Sequence, residues 1–151
     1  MMKDEWLTPP HILKALAAFD LDPCAPISRP WDMAFQHFTI LDDGLSRAWR
    51  GRVWLNPPYG LLAGRWLERL ADHGDGVALI FARTETEMFF TQVWEKADAL
   101  LFLRGRLFFC DTTGTPAKAN AGAPSVLIAY GACNAACLEH CGLGGHFVRL
   151  K

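Results

Sequence analysis

The apolar positions of this chain fall into short blocks that switch between helical spacing and unbroken, strand-like runs. Thr8-Pro9-Pro10 is a helix start, a hydroxyl capping residue followed by proline where its missing N–H does no harm. Beyond it, His11 to Phe19 places Ile12, Leu16 and Phe19 on one face. Leu21-Asp22-Pro23 predicts a short strand ending on an acid, and residues 25–37, interrupted by Pro26 and Pro30, an irregular connection. Val53-Trp54-Leu55 is a second short strand, stopped by Asn56-Pro57-Pro58. Leu62, Trp66 and Leu70 mark a helix that Gly74 and Gly76 end. Val77 to Phe81 is the continuous apolar run of a strand buried on both faces. Thr84 to Lys96 reads as a helix and Ala99 to Leu103 as another buried strand. Leu107-Phe108-Phe109 and Val126 to Tyr130 predict two more strands, separated by a Gly-, Thr-, Ala- and Pro-rich loop from Asp111 to Pro124. A helix from about Asn134 to His140 and a strand from His146 to Leu150 close the chain.

Strands alternating with helices predict an α/β fold with a mostly parallel sheet and helices on both faces. The 151 residues suit one domain with one core, spanning 1–151, with no linker, internal repeat or second domain. In such sheets ligands lie beyond the carboxyl ends of the strands. Asp22 and Asn56 both fall at predicted strand ends, which makes them the first candidates for a site.

Composition changes this picture little. Half the residues are hydrophobic and a fifth charged, a globular balance, and no apolar run approaches the roughly 20 residues a bilayer requires. Met-Met-Lys-Asp-Glu-Trp carries acids where a signal peptide needs a basic region, so the expected location is the cytoplasm. Fifteen basic residues against sixteen acidic ones disfavour nucleic-acid binding by bulk attraction, while leaving room for local patches. Arginines cluster at Arg47, Arg50 and Arg52, at Arg65 and Arg69, and at Arg104 and Arg106, where a solvated surface is the simplest account. Cys133, Cys137 and Cys141 recur every four residues beside His140, a spacing that reads as buried small residues on one helix face. Zinc sites take closer pairs from two segments, so no metal is expected. Trp54 and Trp66 read as core residues rather than stacking platforms.

Asn56-Pro57-Pro58-Tyr59, followed by Gly60, carries the chemistry. An amino group on a purine ring is a poor nucleophile because its lone pair is delocalised into the ring. Two acceptors facing its two N–H hydrogens turn the nitrogen toward tetrahedral geometry. The Asn56 side-chain oxygen and the Pro57 carbonyl supply such a pair, and two prolines stiffen the turn that presents them. Tyr59 offers a flat face to a base drawn out of a helix. A sulfonium methyl donor has an excellent leaving group, so positioning supplies most of the catalysis, without metal or strong base.

Thr8-Pro9-Pro10, Asp22-Pro23-Cys24-Ala25, Asp42-Asp43-Gly44-Leu45 and Asn56-Pro57-Pro58-Tyr59-Gly60 occur in that order. With Trp6, residues 49–54, Ala82-Arg83-Thr84 and Gly105-Arg106, they resemble the phage-encoded DNA adenine methyltransferase family. The resemblance implies a bacterial or prophage setting, S-adenosylmethionine as cofactor, DNA as partner, and methyl transfer to the exocyclic N6 of adenine after base flipping. It implies that Thr8 and Pro9 lie at the methionine end of the donor, and that Asp22, Pro23, Cys24 and Ala25 form its first motif. One of Asp42 and Asp43 would meet the donor's ribose or adenine. Asn56 to Tyr59 would hold the target base, while Arg83 and Arg106 would approach DNA phosphates.

The family resemblance comes with two departures. A methyltransferase usually carries a glycine-rich turn after its first strand; Cys24-Ala25-Pro26-Ile27 has no glycine. The interval from Asp22 to Asp42 is also too short for the usual helix, strand and helix. A reduced Rossmann-like methyltransferase fold with a trimmed cofactor half is therefore expected, with no separate target-recognition domain. Two other functions compete. Asn-Pro-Pro-Tyr also suits a protein-glutamine methyltransferase, whose substrate nitrogen is likewise planar, and the missing glycines suit a degenerate fold that only binds DNA or donor.

Overall fold

The protein is described here from a computed structural model, which covers residues 6–151. Its centre is set by the most apolar segments. β4 (Gly76–Phe81) and β6 (Ser125–Tyr130) are buried almost throughout and pair antiparallel in the middle of a seven-stranded sheet. On one side lie β3 (Val53–Leu55), β1 (Leu21–Asp22) and β2 (Gln36–His37); on the other, β5 (Ala99–Leu103) and β7 (Gly145–Arg149). The order is β2-β1-β3-β4-β6-β5-β7.

Helices cover both faces, as expected. α1 (Pro10–Ala15) and α4 (Ala132–His140) bury Ile12, Ala135 and Leu138 in one core layer with Trp54, Val77, Leu101 and Leu127. α2 (Ala63–His73) buries Trp66, Leu67 and Leu70 in the opposite layer against Leu55, Ala78 and Val126. Gly74, at φ 80°, ends α2 in the left-handed cap that glycine adopts at least cost, donating to the Leu70 carbonyl at 2.8 Å. α3 (Glu87–Phe89) is capped by the Thr86 hydroxyl, which accepts from the Phe89 N–H at 3.3 Å. It widens into a π-helical turn over Phe90–Trp94.

The expected mostly parallel sheet needs correction. β2, β1, β3 and β4 pair parallel, giving three parallel ladders, but the β4–β6, β5–β6 and β5–β7 ladders are antiparallel. The reason lies in the connections. No helix stands between β5 and β6, so the chain returns beside its own strand in the opposite direction. α4 then crosses over β5 to seat β7 at the edge, parallel to β6 but antiparallel to β5.

Four local expectations also change. α1 stops at Ala15, and Ala17 turns the chain at φ 67°. Helix in the 84–96 segment begins only at Glu87. Leu107-Phe108-Phe109 forms no strand; only single bridges tie Cys110 to Leu7 and Pro116. Cys133 is exposed, so the cysteine stripe is not a buried face, although Cys137 and Cys141 pack partly against the core.

Arg52 is no solvated surface residue. It donates to the Leu16 and Ala18 carbonyls at 2.7 and 3.0 Å and to Asn134 at 2.7 Å, with its guanidinium 4.1 Å above the Phe19 ring. This staple fixes the end of α1 to α4, and so holds the segment that carries Thr8.

Candidate functional site

β1 and β3 are parallel neighbours, with Leu21 opposite Val53, so their carboxyl ends open on the same edge of the sheet. Asp22 and Asn56 therefore emerge side by side. The segment before α1 is fastened across them by reciprocal Leu7–Cys110 backbone hydrogen bonds of 2.7 and 2.9 Å, which bring Thr8 to the same edge. Together these elements enclose a cavity of about 450 Å³, within the roughly 300–1,000 Å³ usual for small-molecule sites. Thr8, Asp22, Pro23, Cys24, Ala25, Asp43 and the whole Asn56–Tyr59 turn line it.

Asp22 is the most perturbed of these groups. It is 2% exposed, and among the described residues its carboxylate accepts one hydrogen bond, from the Cys24 N–H at 3.2 Å. Burial pushes its carboxyl up to about 7, against the opposing pull of that N–H and of Arg29. A buried acid with lone pairs to spare is primed for a ligand that brings hydrogen-bond donors or positive charge. Beside it, burial and the Asp22 charge push the Cys24 thiol up to about 12, so Cys24 is a neutral, inert wall.

The Asp42-Asp43 pair divides cleanly. Asp42 turns inward on its own loop, accepting from the Thr39 N–H at 2.8 Å, and does not reach the cavity. Asp43 lines the cavity with its backbone in the left-handed region, at φ 56°. Gly44 explains how this loop reaches so close. A Cβ there would stand 2.0 Å from the Pro23 carbonyl oxygen, so only glycine lets the loop press against the end of β1. The Trp49 indole N–H then locks the contact by donating to the Gly44 carbonyl at 2.8 Å. The close approach that the turn after β1 lacks is thus provided by the loop facing it. The adjacency of Gly44 to two acids was the available signal, but only the fold reveals its partner.

Asn56 donates through Nδ2 to the buried Thr8 hydroxyl at 3.4 Å. No donor among the described residues reaches Asn56 Oδ1 or the Pro57 carbonyl. Both acceptors therefore remain available at the cavity wall. Tyr59 is half exposed, and one face of its ring stacks on Phe81 with centroids 4.3 Å apart and planes 10° from parallel. Phe81 ends β4, the strand beside β3, and carries no local sequence mark of this role. Burial pushes the Tyr59 hydroxyl up to about 12, so it stays protonated.

The remaining candidates lie elsewhere. Pro9 is buried but outside the lining; its carbonyl accepts the Ile12 N–H at 3.1 Å and starts α1. Arg83 is exposed near the rim, 5.7 Å from the Phe81 ring centroid, while Arg106 is exposed on the segment after β5. Trp54 and Trp66 are core residues as expected, yet each also lines the cavity from its own side of the sheet. Ile27, Ile40 and Leu62, none of them a site candidate from the sequence, form an apolar rim, and Leu62 precedes α2 rather than packing with Trp66 and Leu70. Among the described residues, no cluster of three His, Cys, Asp or Glu side chains could hold a metal, and no helix is long and apolar enough to cross a membrane.

A search of curated proteins and one of solved structures found no match to the chain. A family model described as DNA N-6-adenine-methyltransferase (Dam) matches residues 1–135, which include every residue placed at the cavity and all of the sheet except β7. On that match the chain belongs to the DNA N-6-adenine-methyltransferase (Dam) family.

Proposed function

We propose that the chain transfers a methyl group from S-adenosylmethionine to the exocyclic N6 of an adenine that has been flipped out of DNA. The observation that carries this reading is the pairing of two free acceptors, Asn56 Oδ1 and the Pro57 carbonyl, with a buried carboxylate across one cavity. The sheet fits the same reading. A parallel half ending in β1 and β2, followed by an antiparallel strand between β4 and β5, reads as a Rossmann-like methyltransferase sheet shortened on its cofactor side.

The cavity residues fit the donor. Asp22 offers a desolvated carboxylate to the donor's amine or ribose hydroxyls, Asp43 a second one, and the neutral Cys24 and Ala25 an unhindered wall. When bound, S-adenosylmethionine supplies a methyl group on a sulfonium, which accepts the C–S electron pair and leaves as a neutral thioether. Asn56 and Pro57 accept the two N6 hydrogens, which localises the nitrogen lone pair along the line of attack. Those same oxygens then hand the surplus N6 proton to solvent. Thr8 keeps the Asn56 amide turned with its oxygen toward the base, because its hydroxyl takes the Nδ2 hydrogen. Tyr59, backed by Phe81, stacks on the extruded base with its free face.

Family membership favours DNA over a glutamine side chain as substrate, and intact acceptors argue against a degenerate binder. The setting this implies is the cytoplasm of a bacterial host. Incubation with labelled donor and DNA, RNA or protein, followed by nucleoside analysis, should yield N6-methyladenine from DNA alone. Label in protein glutamine, or donor binding without transfer to any substrate, would overturn the reading.

A further inference from the structure

Three apolar side chains in four residues face solvent at the rim of the cavity: Tyr59 at 50%, Leu61 at 100% and Leu62 at 51% exposure. Leu62 and Tyr59 also line the cavity, whereas Leu61 is not part of the lining and is fully exposed. Single exposed leucines are unremarked on protein surfaces, but a contiguous apolar patch on the edge of a binding site marks contact with something else.

The tip is bounded by prolines on one side and by a helix on the other. Pro57 and Pro58 fix the chain before it, Gly60 turns at φ 105°, and α2 begins at once, anchored by buried Trp66, Leu67 and Leu70. The Gly60 carbonyl accepts the Ala63 N–H at 3.2 Å and joins tip to helix. Positive charge flanks it: Arg65 is exposed in the first turn of α2, which carries no acid, and Arg83 stands over the ring that supports Tyr59. An apolar point with cations on the elements beside it matches duplex DNA, whose stack is apolar inside and phosphate-lined outside.

We propose, resting on the reading of this site as a base-flipping adenine methyltransferase, that Leu61 is the wedge that enters the base stack when the target adenine leaves it. Withdrawing a base parts its neighbours to about 7 Å, two steps of the duplex rise. A leucine side chain fills that gap and offsets part of the lost stacking. At most about 7 Å of chain separate Leu61 from Tyr59, so Leu61 stands beside a base held there, on the exposed side where the duplex would lie. Leu61 is thus a positioning residue that acts on the duplex and not on the methyl donor.

Methylation-free plasmid DNA, as duplex and after heat denaturation, tests this with labelled donor. Leu61→Ala should lower kcat/KM on the duplex by about 10-fold or more, the scale of one lost stacking partner. On denatured strands it should match the wild type within about twofold, since no stack remains to be filled. Leu61→Phe should restore duplex activity, and thermal unfolding should be unchanged in both variants because the side chain is fully exposed. Equal duplex activity of wild type and Leu61→Ala, or an equal loss on duplex and single strands, overturns the wedge alone. A wild type that methylates neither form overturns the underlying reading instead.

Discussion

Asp22 sits where burial opposes its charge, and replacing it with asparagine should separate the stability of the protein from its affinity for donor. The carboxyl is raised from 3.8 to about 7 by desolvation. That difference of about 3 units corresponds to roughly 4 kcal/mol at a pH well above 7, since each unit is worth about 1.4 kcal/mol. The sign follows from proton binding. Between the two values the folded protein holds the proton and the unfolded chain has released it, so the Asp22 contribution to stability is greatest below 3.8 and is lost as pH rises through about 7. Above that point the unliganded fold carries a desolvated carboxylate with a single N–H partner.

Asparagine keeps an oxygen for the Cys24 N–H and removes the charge. Urea unfolding of the ligand-free proteins should therefore show Asp22→Asn gaining on the wild type by about 2–3 kcal/mol between about pH 5 and about pH 8. Calorimetry with the demethylated donor product should show the opposite effect on binding, a loss of about 1.5–3 kcal/mol for one hydrogen bond to a charged group. Wild-type donor affinity should itself rise through about pH 7 as the carboxylate forms. Parallel stability curves for the two proteins would refute the burial argument. Unchanged donor affinity would reduce Asp22 to a turn residue that holds the backbone at Cys24.

Asn56→Ala should lower kcat on the order of 10²–10³-fold, the usual loss for one preorganised partner of a reacting group, with calorimetric donor affinity nearly unchanged; retained turnover would remove Asn56 from the reaction. Gly44→Ala should destabilise the fold by about 1–3 kcal/mol, as overpacking does, because its methyl group would meet the Pro23 carbonyl oxygen at 2.0 Å; thermal unfolding reads this directly, and donor affinity should fall with it. Tyr59→Phe should keep its activity, since the stack on Phe81 and the free ring face survive, whereas Tyr59→Ala should weaken base binding by about 1–3 kcal/mol, seen as a blunted signal from a fluorescent adenine analogue at the target position.

Much of the site was legible before the fold because its signals are local. A strand run into Asn-Pro-Pro has to stop, and the next residues have to lie at a strand end. Asp22 was readable for the same reason. The parallel pairing of β3 with β4 followed from buried apolar runs separated by a helix, but the antiparallel half did not. Whether β6 returns beside β4 or beyond β5 depends on the connection, and the apolar run of Ser125–Tyr130 suits either direction. β2 escaped notice because Gln36 and His37 carry no apolar signal; it pairs only through its backbone at the sheet edge. Arg52 and Phe81 were invisible as a staple and a stacking platform because their partners lie far away in sequence, at Asn134 and Tyr59.

On the proposed reading, a trimmed chain builds its donor site without the glycine-rich turn. In a longer cofactor half, glycine after the first strand lets the backbone approach the ligand. Here Cys24 and Ala25 follow β1 with side chains in place, and the space comes from across the cleft. Gly44 lets its loop close against Pro23, which carries Asp43 to the cavity and leaves Asp42 to brace the turn on Thr39. The segments 22–25 and 42–45 are then one packed unit, in which the Pro23 carbonyl limits how near the loop can come at Gly44. A substitution at either position should therefore be felt at both acids, whereas Asn56, held from the other side by Thr8, should be largely insulated. That division matches the two tasks proposed for the site, one wall for the donor and one for the base.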